Sequence, residues 1–202
     1  NTHFSFTIDG LDLSEHELVQ SADVVHFHWV ASFLSPRSIL GILNRGVAAF
    51  WTLHDIAPMT GGCHFSAGCR GYTSGCNDCL QLEDQSFEIP RRVLEDKKSI
   101  QEFRNLSLLC PSEWMASVAK ESSLFGGMEQ IHVVPNGIDE VEFSPIDSVS
   151  ARRAFSLNEE AIVLLVGGDN SAEKRKGFDQ LVPIIRKCVD LNGGVLDGVT
   201  LL

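Results

Sequence analysis

The stretch Val47-Ala48-Ala49-Phe50-Trp51-Thr52-Leu53 runs without a break into His54-Asp55, and soon after into Gly61-Gly62-Cys63. A short, nearly continuous apolar run with aromatic and β-branched members reads as a strand buried in a sheet. Open α/β sheets bind ligands at the carboxyl ends of their strands, so the His-Asp pair marks a candidate site. Runs of the same character occur at Asp23–Trp29, Leu106–Cys110, Ile131–Val134 and Ala161–Val166.

Helical segments fall between these runs. Ser35 and Pro36 open one that reaches Asn44, with Gly46 as its stop. Pro90 to Phe103 reads as a single longer helix, its apolar face partly marked by Ile89, Val93, Ile100 and Phe103. Ser112 caps a third helix over Glu113–Ser122, and a fourth covers Phe178–Leu191, with Pro183 tolerated in its first turns. Strands alternating with helices predict an α/β fold, a parallel sheet covered by helices on both faces.

The 202 residues suffice for one large domain or parts of two. With 27 acidic against 16 basic side chains the formal net charge is -11, which argues against general binding of nucleic acid or anionic membrane. No apolar run approaches the ~20 residues of a membrane span. The first residues carry no secretion signal and no initiator Met, and Gly198 to Leu202 reads like a strand just beginning, so a fragment of a longer chain is expected. The polar, Pro-containing segment around Pro145 places a domain boundary there.

Cys63, Cys69, Cys76 and Cys79 lie within seventeen residues, in a loop over 61–80 rich in glycine and turn-forming residues. One CxxC and two wider spacings leave three readings open: a structural zinc held by four thiolates, two disulfides, or free thiols. His64 could replace one ligand. His26 and His28 share a strand face and are read as residues on a cleft rim rather than a metal pair. His54 is read either as a group facing the crevice above the sheet or as one that pins its own loop through Asp55 or a carbonyl. Gly167-Gly168-Asp169 and then Lys174-Arg175-Lys176-Gly177 place glycines, three cations and a helix start together, which suits a phosphate.

Six motifs occur in order: Asp23 to Trp29 containing His26 and His28, Trp51 to Asp55, Gly61-Gly62-Cys63, Pro111-Ser112-Glu113-Trp114, Val134-Pro135-Asn136-Gly137-Ile138-Asp139, and Gly167-Gly168 with Arg175-Lys176-Gly177. In this order the chain resembles family-4 (group 1) retaining glycosyltransferases, especially bacterial ones that build surface polysaccharides. The resemblance implies a GT-B architecture. Residues 1–145 would form most of an acceptor-side Rossmann-like domain carrying the cysteine-rich loop, and 146–202 the start of a nucleotide-sugar-binding domain. It implies His54 beside the transferred sugar, Arg175 and Lys176 on the donor diphosphate, Gly167 and Gly168 in the loop near it, and Asn136 and Gly137 at the turn near the cleft. The implied activity is transfer of a hexosyl-type sugar from a nucleotide-diphosphate donor to a glycan or lipid-linked acceptor with retention. No catalytic divalent metal is implied, and the expected setting is the cytoplasm, at the inner face of the membrane through peripheral association. The family's first strand and its acidic donor motif fall outside these residues, so the fragment alone is expected to be inactive. A zinc-binding interaction module without enzymatic activity is the main rival, and a thiol oxidoreductase using Cys76 and Cys79 a weaker one.

Overall fold

The computed structural model describes residues 3–6, 10–84, 87–167, 173–191 and 199–201, with side chains described only up to Leu191. Its contacts divide the chain into two units, Asn1–Asn136 and Gly137–Leu202.

The first unit runs α1 (Glu17–Gln20), β1 (Val24–Phe27), α2 (Pro36–Asn44), β2 (Ala48–Thr52), α3 (Ile89–Glu95), β3 (Leu106–Cys110), α4 (Glu113–Glu121) and β4 (Ile131–Val133). The four strands form one parallel sheet in the order β1-β2-β3-β4, with Phe27 opposite Trp51 and Trp51 opposite Leu108. Each successive pair is joined by a crossover that contains a helix, as parallel pairing requires. The mixed α/β fold with a parallel sheet is the one expected from the strand-helix alternation and is consistent with a Rossmann-like domain.

Local chemistry sets the helix bounds. The Ser35 hydroxyl accepts from Ser38 N–H at 3.1 Å and Pro36 fills the first turn, so α2 starts where the missing Pro N–H costs nothing. Gly46 takes φ +77°, a left-handed value that suits glycine, where the chain leaves α2 for β2. Ser112 caps α4 by accepting from Met115 N–H at 3.2 Å.

Two expectations change, and one element was not expected. The single helix expected over Pro90 to Phe103 is broken: α3 ends at Glu95, and a 3-10 turn covers Lys98–Glu102. Between them Lys97 is buried with its ammonium on two loop carbonyls, and Ile100 is buried beyond it. Burial of the sheet is also one-sided. Residues of β3 alternate between buried and partly exposed, and on the other face His26 and His132 are exposed and Thr52 and Ser107 half-buried, counting the described residues. The apolar face holds Phe27, Trp51, Leu106 and Leu108 against Ile39, Met115 and Phe125. Finally, α1 is a single turn that no apolar periodicity announces.

The second unit contains α5 (Ser148–Ala154), β5 (Ile162–Leu164), α6 (Phe178–Leu191) and β6 (Val199–Leu201), with β5 and β6 parallel. Asp147 caps α5 by accepting from Ser150 N–H at 2.8 Å. Pro183 lies inside α6, in its second turn, where it removes the backbone bond to Asp179. Among the described residues, no helix is long and apolar enough to cross a membrane.

Leu108 is fully buried in the sheet interior. Leu108→Ala is expected to cost about 2–5 kcal/mol in denaturant unfolding, the range for a large-to-small change in a packed core. A loss under 1 kcal/mol would show that this face is not the core.

Candidate functional site

The parallel sheet ends β1 and β2 side by side, and the residues just beyond them converge. His28 Nδ1 and His54 Nε2 are 3.0 Å apart, so one ring donates and the other accepts. His26 lies against His28 with ring centroids 4.1 Å apart, and its Nε2 meets the Thr52 hydroxyl at 2.8 Å. Burial, followed by the charges of His28 and His54, lowers the His26 pKa from its ordinary value. His54 therefore neither bonds Asp55 nor pins its own loop; it pairs across the strands with the rim histidine His28. His28, His54 and Thr52, with Trp29, Trp51, Asp55 and Pro58, line a cleft at the carboxyl end of the sheet.

Asp55 has a different set of partners. Its carboxylate accepts from Ala57 N–H at 2.8 Å and from the Trp29 indole N–H at 2.8 Å, and lies 2.6 Å from His64 Nδ1. An ionised carboxylate only accepts, so His64 Nδ1 carries the proton. The indole also comes within 3.2 Å of that nitrogen, but a protonated Nδ1 cannot accept, and the Trp29 bond belongs to Asp55. His64 Nε2 then faces the Ser5 hydroxyl at 2.9 Å.

Ser5, His64 and Asp55 thus stand in the order of a nucleophilic triad. Ser5 and His64 are only 4% and 2% exposed, however, and Ser5 N–H is spent on Gly62 C=O at 2.9 Å. The chain of bonds is a structural tie. It fastens residues 3–6 and the loop after β2 to the strand end, alongside the bridge between Phe4 and Cys63.

Lys97 completes the tie from below. Its ammonium donates at 2.9 Å to both Ala57 C=O and Thr60 C=O. Burial lowers its pKa to about 8, against the opposing pull of Cys76, Cys63 and Asp55. The sequence held a signal for this: Val93, Lys97 and Ile100 recur at helical spacing, which puts the lysine on the apolar face. The pairing of Asp55 with His64 had none, because it spans a loop with no period.

Cys63, Cys69, Cys76 and Cys79 do come together, lining one pocket with Tyr72 and Pro90. Among the described residues, no group of three or more His, Cys, Asp or Glu side chains is arranged to hold a metal ion. The loop is held by other bonds. Gly61 N–H donates to Cys76 Sγ at 3.2 Å, Gly71 N–H to Cys69 Sγ at 3.3 Å, and Ser123 N–H to Tyr72 C=O at 2.9 Å. Gly61 is required: a Cβ there would lie 2.2 Å from Pro90 O. Burial pushes the Cys63 thiol up to about 11, with the other cysteines adding and a Thr60 hydrogen bond opposing. Burial likewise raises Cys76, against the Gly61 hydrogen bond. A redox thiol is favoured by the reverse shift and commonly by a helix N-terminus. Neither is present at Cys76, which sits in a loop at φ +54°.

The remaining sequence candidates lie elsewhere. Asn136 is an exposed residue ending the first unit, and Gly137 opens the second. Gly167 follows β5; Gly168 lies outside the described residues. Arg175 and Lys176 are exposed on a 3-10 turn, Lys174–Lys176, that Gly177 ends at φ +76°. The Arg175 guanidinium pairs with the Glu173 carboxylate. The histidine site and the basic turn thus belong to separate units.

Burial raises the Asp55 pKa, but the bonds from His64 and Ala57, the His64 charge and the Trp29 bond outweigh it and hold the carboxyl below its ordinary value. A depressed folded pKa stabilises above the unfolded value, about 4, and that stability is lost as pH falls through the folded one. Asp55→Asn is expected to cost about 2–3 kcal/mol at pH 7. The gap from the wild type should narrow below about pH 4. Urea unfolding at pH 7 and pH 3 checks both; a gap that stays constant with pH contradicts the assignment.

No protein-family model matches the chain. Over 131 residues the chain is 30% identical to the putative colanic acid biosynthesis glycosyl transferase WcaC of Escherichia coli (strain K12). That match covers 57% of this chain and 31% of the relative, so the chain spans about a third of the protein it resembles.

Proposed function

We propose that the chain is part of a glycosyltransferase that moves a sugar from a nucleotide-diphosphate donor to a hydroxyl of a glycan or lipid-linked acceptor, in the synthesis of a cell-surface polysaccharide. The observation that carries this reading is the cleft at the carboxyl ends of β1 and β2, walled by Trp29 and the His28–His54 pair. It has the character of a small-molecule site: apolar walls and a few convergent polar groups on rigid strand ends. The likeness to a glycosyl transferase supports the same class of chemistry.

In this reading transfer proceeds with retention. Departure of the nucleotide diphosphate builds negative charge, which Arg175 and Lys176 stabilise as preorganised cations. Arg175 first exchanges Glu173 for phosphate oxygens, so the carboxylate holds the guanidinium in place between turnovers. Gly167, Gly168 and the Asn136-Gly137 turn border the donor. His54 orients the transferred sugar or the acceptor hydroxyl; its bond to His28 fixes the ring and selects which nitrogen carries a proton. No step needs a divalent metal. The cysteine pocket braces the loop that carries His64. The enzyme works in the cytoplasm at the inner membrane face, where nucleotide sugars and lipid-linked acceptors meet.

In the complete enzyme His54→Ala is expected to lower kcat by at least tenfold, about 1.4 kcal/mol, with the melting temperature unchanged. A wild-type kcat would remove His54 from the site. Arg175→Ala should lower kcat/KM for the donor by a similar factor and leave acceptor KM alone; unchanged donor kinetics would overturn that role.

A further inference from the structure

The cleft contains an aromatic ring that the fold holds but does not use. Trp29 is 54% exposed although it sits next to the core. An exposed indole at a strand end forgoes burial that the hydrophobic effect would reward. Its orientation is nevertheless fixed. The indole N–H is bonded to Asp55, itself held by His64 and Ala57 N–H, and the ring lies 5.4 Å from the His64 ring and 5.8 Å from the His3 ring. An edge locked by a charge-assisted bond leaves the ring as a rigid plate beside the cleft.

The groups around the plate indicate what it carries. His28 and His54 offer ring nitrogens that both donate and accept, on the same cleft. Trp51, which also lines the cleft, has a buried Nε1–H with no hydrogen-bond partner among the described residues. The cation in the wall, Lys97, spends its ammonium on two carbonyls, and the ionised carboxylate of Asp55 faces the same space. This lining disfavours a phosphate or a carboxylate. It suits a neutral ring with one apolar face and a rim of hydroxyls, since the negative face of an indole attracts the weakly positive C–H groups of a pyranose.

We infer that Trp29 is the stacking platform for a neutral sugar ring of the acceptor glycan, with His28 and His54 bonding its hydroxyls. This rests on the glycosyltransferase reading for the word acceptor, but not for the sugar. Trp29 is a binding residue here, and Asp55, which holds it, is a positioning residue.

The test is a binding titration of the full chain with neutral methyl glycopyranosides, with uridine diphosphate as the charged control. The readouts are the Trp29 indole N–H resonance and saturation transfer to the sugar. The glycosides should shift that resonance and uridine diphosphate should not. Trp29→Ala should weaken glycoside binding by at least tenfold. Trp29→Phe, which keeps a ring and loses the N–H, should recover part of it, while both variants keep the wild-type melting temperature within a few degrees. Undiminished binding by Trp29→Ala, failure of Trp29→Phe to rescue, absence of glycoside binding, or a shift caused by uridine diphosphate instead would each overturn the inference. Glycoside binding at Trp29 in this chain, with no sugar transfer by the complete protein, would sink the enzymatic reading and leave the platform standing. Transfer without binding at Trp29 would do the reverse.

Discussion

The carboxylate of Asp55 is the constraint on which the site depends. One buried anion takes the indole N–H of Trp29 from the strand-end turn after β1, the imidazole of His64 from the cysteine loop, and the backbone N–H of Ala57 from its own turn. The turn after β1 and the cysteine loop are thereby fixed to the end of one strand. A buried carboxylate is costly unless its lone pairs are filled. Here the filling and the assembly of the cleft are the same set of bonds.

Lys97 performs the complementary task with the opposite charge. Its ammonium ties the carbonyls of Ala57 and Thr60, so the turn after β2 is gripped from both sides. The same lysine lies at the break in the expected helix: a continuous α-helix over Pro90 to Phe103 gives way to α3 and a 3-10 turn on either side of it. The cysteine loop is attached by the same physics. Backbone N–H groups bond two sulfurs, Gly61 packs against Pro90, and Tyr72 docks its carbonyl on Ser123. The loop is a brace beside the cleft, and its thiols are buried enough to resist ionisation at Cys63 and Cys76.

Much of this was legible in residues alone, for definite reasons. β3 and α2 have the bounds expected, because short apolar runs, a Ser-Pro start and a Gly stop are local signals. The gathering of the four cysteines in one pocket followed from their spacing, although the described side chains form no metal-holding group. One-sided burial of the sheet was not legible. An apolar run such as Leu106–Cys110 looks the same whether one face or both are covered, since Leu109 and Leu108 differ only in which way they point. His54 reads as a cleft group, but its partner does not show in the sequence: adjacency to Asp55 suggests one bond, while parallel pairing supplies His28 instead. Trp29 carried no signal of its role, because a tryptophan at the end of an apolar run reads as core until its exposure is seen.

In the proposed reading the carboxyl ends of β1 and β2 form a preassembled sugar site held by Asp55. The most direct measurement is a crystal structure of the chain grown with a neutral oligosaccharide. The expected result is a pyranose ring lying on the Trp29 indole, with hydroxyls on His28 and His54 and the Asp55 bonds to Trp29 and His64 unchanged. A saccharide bound elsewhere with this cleft holding only water, or an Asp55 carboxylate turned away from Trp29 and His64, would contradict it.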